Sequence, residues 1–473
     1  MRSLFITMSV VALSFVCFSE QEQKTVAAGT TVTVASGDIA EWASADIDIG
    51  ADATLCFVDP ENTATFTGKI TGSGRFVAKF DSTSVRPNVF IMDGNANEFS
   101  GAFHYSNVYV HVKSPMAVGN VAPITISMQY ADGTSLKNQF FGSAAGQPDF
   151  VYKNPLDVSV QINASYLAVN ERAVLAGDVF HRRGALNGPG RITGNITTES
   201  KELYCSGGLH LDGTITSIHT EGTKLTNNNG ILHLQGKTQG LKTFNASGRN
   251  SPIYFYDDNI FGEDVDLQMG FSSTDIDLQS AYIDLNGHSQ IFKSAYFSSQ
   301  VPIERRNIGG IVNTGAPATV KFAKNDKVNW FYGRLDGHLS VTVSGTETLG
   351  FVASTNTMDG IVASDGGKVK ISYCWKKVRN IVSCNGGFLE FDSNIEINPK
   401  VIIDINDKTS GEKSKIKVAT GLNMKVRALR INGVNLPIGT YHRYSTAVDG
   451  HFDTIGTGTI EVLGDPGFIL SVR

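Results

Sequence analysis

Short runs in which apolar and polar residues alternate recur along most of the chain. Thr31-Val32-Thr33-Val34, Ala78-Lys79-Phe80, Val108 to Val112, Ile231-Leu232-His233-Leu234, Leu339 to Val343 and Lys368-Val369-Lys370-Ile371 each offer one face to an interior and one to water. Gly, Asn, Asp and Ser separate the runs, as turn residues between strands do. Almost no segment carries apolar residues at helical spacing for more than two turns. The pattern predicts an all-β protein.

The punctuation is itself repetitive. Gly72-Ser73-Gly74-Arg75-Phe76-Val77 leads to Asn97-Glu98-Phe99-Ser100-Gly101, then to Ser114-Pro115-Met116-Ala117-Val118-Gly119. Looser forms follow at Gly188-Pro189-Gly190-Arg191-Ile192-Thr193-Gly194, Ile283 to Gln290 and Asn356 to Ile371. Strands this short cannot bury a face alone. Stacked as rungs they share one interior column, each rung hydrogen-bonded to its neighbours. At about 20–30 residues per rung the chain makes roughly 15–20 of them. Tandem sandwich domains are the competing all-β arrangement. The lack of any low-complexity linker favours the solenoid.

These phrases resemble the autotransporter-associated β-strand repeat of large exported bacterial proteins. Its usual form is a Gly-x-Gly-x-Leu strand, an Asn-x-Tyr-Ser-Gly turn, a short strand pair and a Leu-Gly close. Gly72 to Gly119 follows that order, with Phe99 at the aromatic position and Val118-Gly119 at the close. The resemblance implies a right-handed parallel β-helix over residues 20–425. Leu429 to Tyr441 and Gly456 to Val462 resemble the short β segment that ends such proteins, so 426–473 is expected to form a C-terminal β cap. A solenoid end needs a cap against rung-on-rung aggregation. The segment after Leu429 is too short for a translocator barrel, which needs many strands of about ten residues.

Residues 1–19 read as a secretory signal. Arg2 supplies the positive charge, Leu4 to Phe18 are mostly apolar, and Cys17 and Ser19 are small residues placed for cleavage before Glu20. The apolar run is short for a membrane span of about 20 residues. No later stretch is long and apolar enough for one, so no transmembrane segment is expected. A net charge of −5 gives no electrostatic case for nucleic acid. Cys374 and Cys384 are spaced to close a short loop as a disulfide, and Cys56 and Cys205 read as buried small residues. Neither a metal site nor a cofactor is expected, because zinc spacings, phosphate loops and dinucleotide fingerprints are lacking.

Candidate chemistry is sparse. His181-Arg182-Arg183 gathers a base and two cations, the residue types a polysaccharide lyase uses on a uronate. Glu304-Arg305-Arg306-Asn307 and Trp375-Lys376-Lys377-Val378-Arg379 are further basic clusters, and all three also read as solvated turns. Asp257-Asp258 and Glu263-Asp264-Val265-Asp266 are the densest acidic groups, although a glycosidase needs two carboxyls facing across about 5–10 Å. In Tyr254-Phe255-Tyr256 alternation sends both tyrosines to one face, where they could stack on sugar rings; Trp330-Phe331-Tyr332 is a second such triplet.

The sequence thus points to an exported, non-enzymatic surface or matrix protein of adhesin or scaffold type. Its long regular side would contact polysaccharide, cell-surface components or further copies of itself. The alternative is a polysaccharide lyase or glycoside hydrolase acting in a groove on the flank through His181, Arg182 and Arg183.

Overall fold

The computed structural model describes residues 22–60, 63–81, 89–128, 139–142, 149–160, 166–249, 252–269, 282–297, 309–352, 357–364, 366–375, 378, 381–448 and 450–464. The signal-like segment 1–19 lies outside these residues, as do Glu304 to Asn307, Asn356, Lys376, Lys377 and Arg379.

The chain winds into a parallel β-solenoid of about 14 turns, fewer than repeat length alone suggests, because the laps are unequal. Along one wall, strands beginning at Val179 and Ile196 are neighbours, and so are strands beginning at Ile124 and Leu156. The second interval is much longer. Ile39–Ser44 is the one α-helix among the described residues.

Each lap contributes one strand to each of three walls. Val179–Arg183 belongs to the first, Ala185–Asn187 to the second and Arg191–Ile192 to the third. The first wall is a ten-stranded sheet running from Thr31–Val34 to Thr238–Gln239, and the second has eleven strands from Thr63–Phe66 to Ala295–Phe297. The third, fifteen-stranded, begins at Phe150–Tyr152 and reaches Val434–Asn435. Smaller parallel sheets complete the early and late laps.

Alternation fills the lumen. Ile124–Met128 and Leu156–Val160 bury every second side chain. In-register pairing then stacks those side chains into columns, such as Leu175, Ile192, Leu211, Leu234 and Phe255, all fully buried. Each such side chain contributes about 1.5–3 kcal/mol by leaving water. Toward the N-terminus the column turns aromatic. The Phe76 ring lies 5.3 Å from Phe57, 5.5 Å from Phe66 and 5.6 Å from Phe103. Cys205 stands in the core between Leu186 and Asn227, so burial pushes its thiol up to about 12.

The repeated glycines have a steric cause. Gly177, Gly194, Gly213 and Gly236 each follow a third-wall strand by two residues, on successive laps. A Cβ on Gly194 would sit 2.0 Å from the Gly177 carbonyl oxygen; on Gly213, 2.1 Å from that of Gly194; on Gly236, 1.7 Å from that of Gly213. The carbonyl of one lap occupies the space a side chain would need on the next. The Gly-x-Gly phrase works similarly at the corner between Lys69–Gly72 and Arg75–Lys79, where Gly72 also has φ +92°.

Parallel pairing continues past residue 425, to Ala428–Ile431 and, from Asn423–Val426, to Thr459–Val462. Among the described residues antiparallel pairs occur only at this end, joining Ile431 to Val434 and Gly439–Tyr441 to Thr459–Val462. This is the short β cap, and His451 fastens it to the body through Asp407, its Nε2 lying 3.1 Å from Oδ1.

The glycine column generates a prediction. An alanine at a glycine of ordinary φ normally stabilises by about 0.4–1 kcal/mol. Gly213→Ala should instead destabilise by about 1–3 kcal/mol through overpacking, whereas Gly262→Ala, which meets nothing within 4 Å, should be neutral or stabilising. Urea unfolding of both variants checks the sign.

Candidate functional site on the third wall

Alternation decides which sequence candidates reach solvent. On Val179–Arg183, Val179 and His181 point inward, whereas Phe180 and Arg182 point outward. His181 is fully buried, with Nδ1 3.0 Å from Thr198 Oγ1 and Nε2 3.1 Å from the Gly184 carbonyl oxygen. A carbonyl only accepts, so Nε2 carries the proton and Nδ1 accepts from Thr198. Thr198 Oγ1 in turn accepts the Ser200 N–H at 3.2 Å. Burial pushes the imidazole pKa down to about 4. His181 is therefore a neutral core residue, not the exposed base expected of it.

Arg182 is held by carboxylates. Its Nε and Nη2 donate to the two oxygens of Asp157 at 2.8 and 3.0 Å, and Nη1 donates to Glu199 at 3.2 Å. Arg183 is exposed beside it because a register shift opposite Val158/Ser159 interrupts the alternation. The three residues consequently do not converge. The acidic turn is similarly engaged: Lys324 pairs with Glu263 at 3.4 Å and Asp264 at 3.1 Å, and Asp266 accepts from Ser294 Oγ at 2.8 Å. Among the described residues no three His, Cys, Asp or Glu side chains gather as metal ligands. Cys384, expected to pair with Cys374, is a buried free thiol whose Sγ donates to the Lys415 carbonyl at 3.6 Å. The side chain of Cys374 lies outside the described residues.

The tyrosine pair belongs to a larger assembly. Register places Arg191, His210, His233 and Tyr254 in one outward column of the third wall, from four consecutive laps. Adjacent strands lie about 4.8 Å apart, so flat side chains at equivalent positions must stack. The His210 and His233 rings are 3.8 Å apart and inclined by 8°; His233 and Tyr254 are 5.4 Å apart and inclined by 17°. Beside the column, the Tyr256 hydroxyl lies 2.9 Å from His233 Nδ1 and the Tyr282 hydroxyl 3.2 Å from that of Tyr254. Arg191 is anchored by Asp212 at 2.9 Å.

This stacking alters how the tyrosines present themselves. Tyr254 lays one ring face along the column and meets the edge of Tyr282 at 85°. Tyr256 is the most open of the three tyrosines, 40% exposed. Ring edges, with their nitrogens and hydroxyls, therefore form most of the outward surface. Burial, reinforced by the positive charge of Arg191 and by His210, pushes His233 down to about 4. Burial followed by Arg191 also lowers His210, against the pull of Asp212. Both imidazoles are neutral at pH 7. The ladder offers hydrogen-bond donors and acceptors at one-strand intervals, without a pair of free carboxyls: Asp284, next in the column, is buried and accepts from Thr314 and from the Asn286 N–H.

Arg191, His210, His233 and Tyr282 were not singled out from the sequence. A signal was present, since Leu-His-Leu occurs at Leu209–Leu211 and again, one lap later, at Leu232–Leu234. The chain matches no family model, no curated protein and no solved structure.

The two depressed imidazoles fix a pH dependence. His181 and His233 bind a proton near pH 6.5 in the unfolded chain but only near pH 4 when folded. The unfolded state thus takes up more protons between those values, and stability, intact above pH 6.5, falls as pH drops toward 4. For fully buried His181 the loss is on the order of 3 kcal/mol. Urea unfolding at pH 7.5 and 4.5 should show this decline, and His181→Gln should shrink the difference between the two pH values by that order.

Proposed function

We propose that the protein is an exported, non-enzymatic scaffold that contacts glycans along the outward ladder of the third wall. The observation that carries the reading is the register of Arg191, His210, His233 and Tyr254, flanked by Tyr256 and Tyr282, on a regular flank. Sugar hydroxyls pair well with neutral imidazole nitrogens and phenol oxygens, and a polymer lying along the axis meets one ladder side chain on each of four laps. Affinity then accumulates from modest contacts rather than from one deep pocket. The signal-like residues 1–19 and the repeat resemblance support export and a surface or matrix setting.

The lyase or hydrolase alternative gains no support from His181, Arg182 and Arg183: His181 is bonded inside the lumen, while Arg182, bonded to Asp157, and Arg183 are exposed outside it. The ladder supplies binding groups but no convergent acid and base.

Retention of the purified chain on immobilised polysaccharides tests the reading. Each neutral hydrogen bond contributes about 0.5–1.5 kcal/mol, so the double variant His233→Ala/Tyr256→Ala should bind about tenfold more weakly to whichever glycan the parent retains. Binding unchanged in the double variant, or release of new reducing or unsaturated ends by the parent, would remove the proposal.

A further inference from the structure

The first wall carries a second, chemically different feature, which goes beyond the reading above and stands on its own observations. Its outward positions over the first laps line a depression of about 490 Å³, within the size range of ligand sites. Two parallel columns form its base. Thr31, Thr54 and Arg75 are successive register partners in one; Thr33, Cys56, Val77 and His104 are successive partners in the other. The first column is polar, with two hydroxyls and a guanidinium. The second presents a methyl group, a thiol, an isopropyl group and an imidazole, and Cys56 and Val77 are almost wholly shielded.

The charges are uneven. Lys79, at one end, is neutralised by Asp81 at 2.7 Å. Arg75 is exposed and has no carboxylate within ion-pair distance among the described residues. Its charge is felt by His104, which burial and Arg75 together hold below the ordinary histidine value, opposed by Asp157. Along the same column Thr125, Asp157, Phe180 and Thr197 follow His104 and line a smaller depression of about 240 Å³ that also includes Asp178. Beyond His104 the column reaches Asp157, whose charge Arg182 already answers.

We infer that the first-wall depression binds a short acidic sugar, its carboxylate on Arg75, its hydroxyls on Thr31 and Thr54, and its C–H face over Cys56 and Val77. A pyranose has the required division into a hydroxyl-bearing edge and an apolar face. Only an anion answers a guanidinium lacking a counter-charge. The depression, at about 490 Å³, has room for one or two such sugar residues.

Calorimetric titration of the full chain with digalacturonate tests this, with the neutral galactose disaccharide as the comparison. Saturable binding of the acid form, at least tenfold tighter than the neutral form and weakened by salt, is expected. Arg75→Gln should lose at least tenfold while its thermal midpoint stays unchanged, and Arg75→Lys should recover part of that loss. His233→Ala/Tyr256→Ala should titrate like the parent, which separates this site from the third-wall ladder. No binding, equal binding of the two disaccharides, or acid binding that survives Arg75→Gln would overturn the inference. Acid binding lost in the ladder variant alone would overturn it too.

Discussion

In-register parallel pairing between successive laps governs every other feature of this molecule. Because each strand hydrogen-bonds to its counterpart one lap away, equivalent residues are held at the strand spacing of about 4.8 Å. Apolar residues must then stack on apolar residues, as from Leu175 to Phe255. Where backbone crosses backbone at a corner, only glycine fits, as from Gly177 to Gly236. The same rule applies outside. The imidazoles of His210 and His233 lie nearly parallel because register sets them at the same position one lap apart.

The stack has an electrostatic consequence. Two imidazolium rings 3.8 Å apart would repel strongly with little water between them, and Arg191 adds a third positive charge to the column. Neutrality is the condition for the ladder to exist as built, and burial enforces it. His181 reaches the same neutral state through burial in the lumen, where Thr198 and Gly184 satisfy both ring nitrogens. Two histidines with lowered proton affinity thus arise from different surroundings, one in a sealed polar network and one among stacked rings.

What could be read from the sequence follows from the range of each interaction. Strand alternation and turn punctuation are local, so the all-β solenoid and its C-terminal cap were legible in runs of four or five residues. The lap count was less so, because the laps differ in length. The His181-Arg182-Arg183 cluster misled because neighbours in sequence point to opposite faces of a strand. The ladder was hidden for the complementary reason: its members lie one lap apart and meet only once the register is known. The repeated Leu-His-Leu was a visible trace of it. Arg75 and His104 were harder still, since they sit on successive laps in adjacent columns and share no motif.

The same geometry bears on catalysis. Side chains on the outside of a regular wall project nearly parallel to one another. They can form rows of like groups, but general acid–base chemistry requires two groups converging on one reacting atom. Convergence on a solenoid needs a departure from regularity, such as a bulge or a long loop leaning over a wall. The bulge at Val158/Ser159 is such a departure, yet what it brings outward is a second arginine beside one already bound to Asp157 and Glu199. On the third wall the register is unbroken from Arg191 to Tyr254. That favours repeated contact with an extended ligand over concentrated reactivity at one point. A row of neutral donors and a depression with one unanswered cation are what such a wall readily makes.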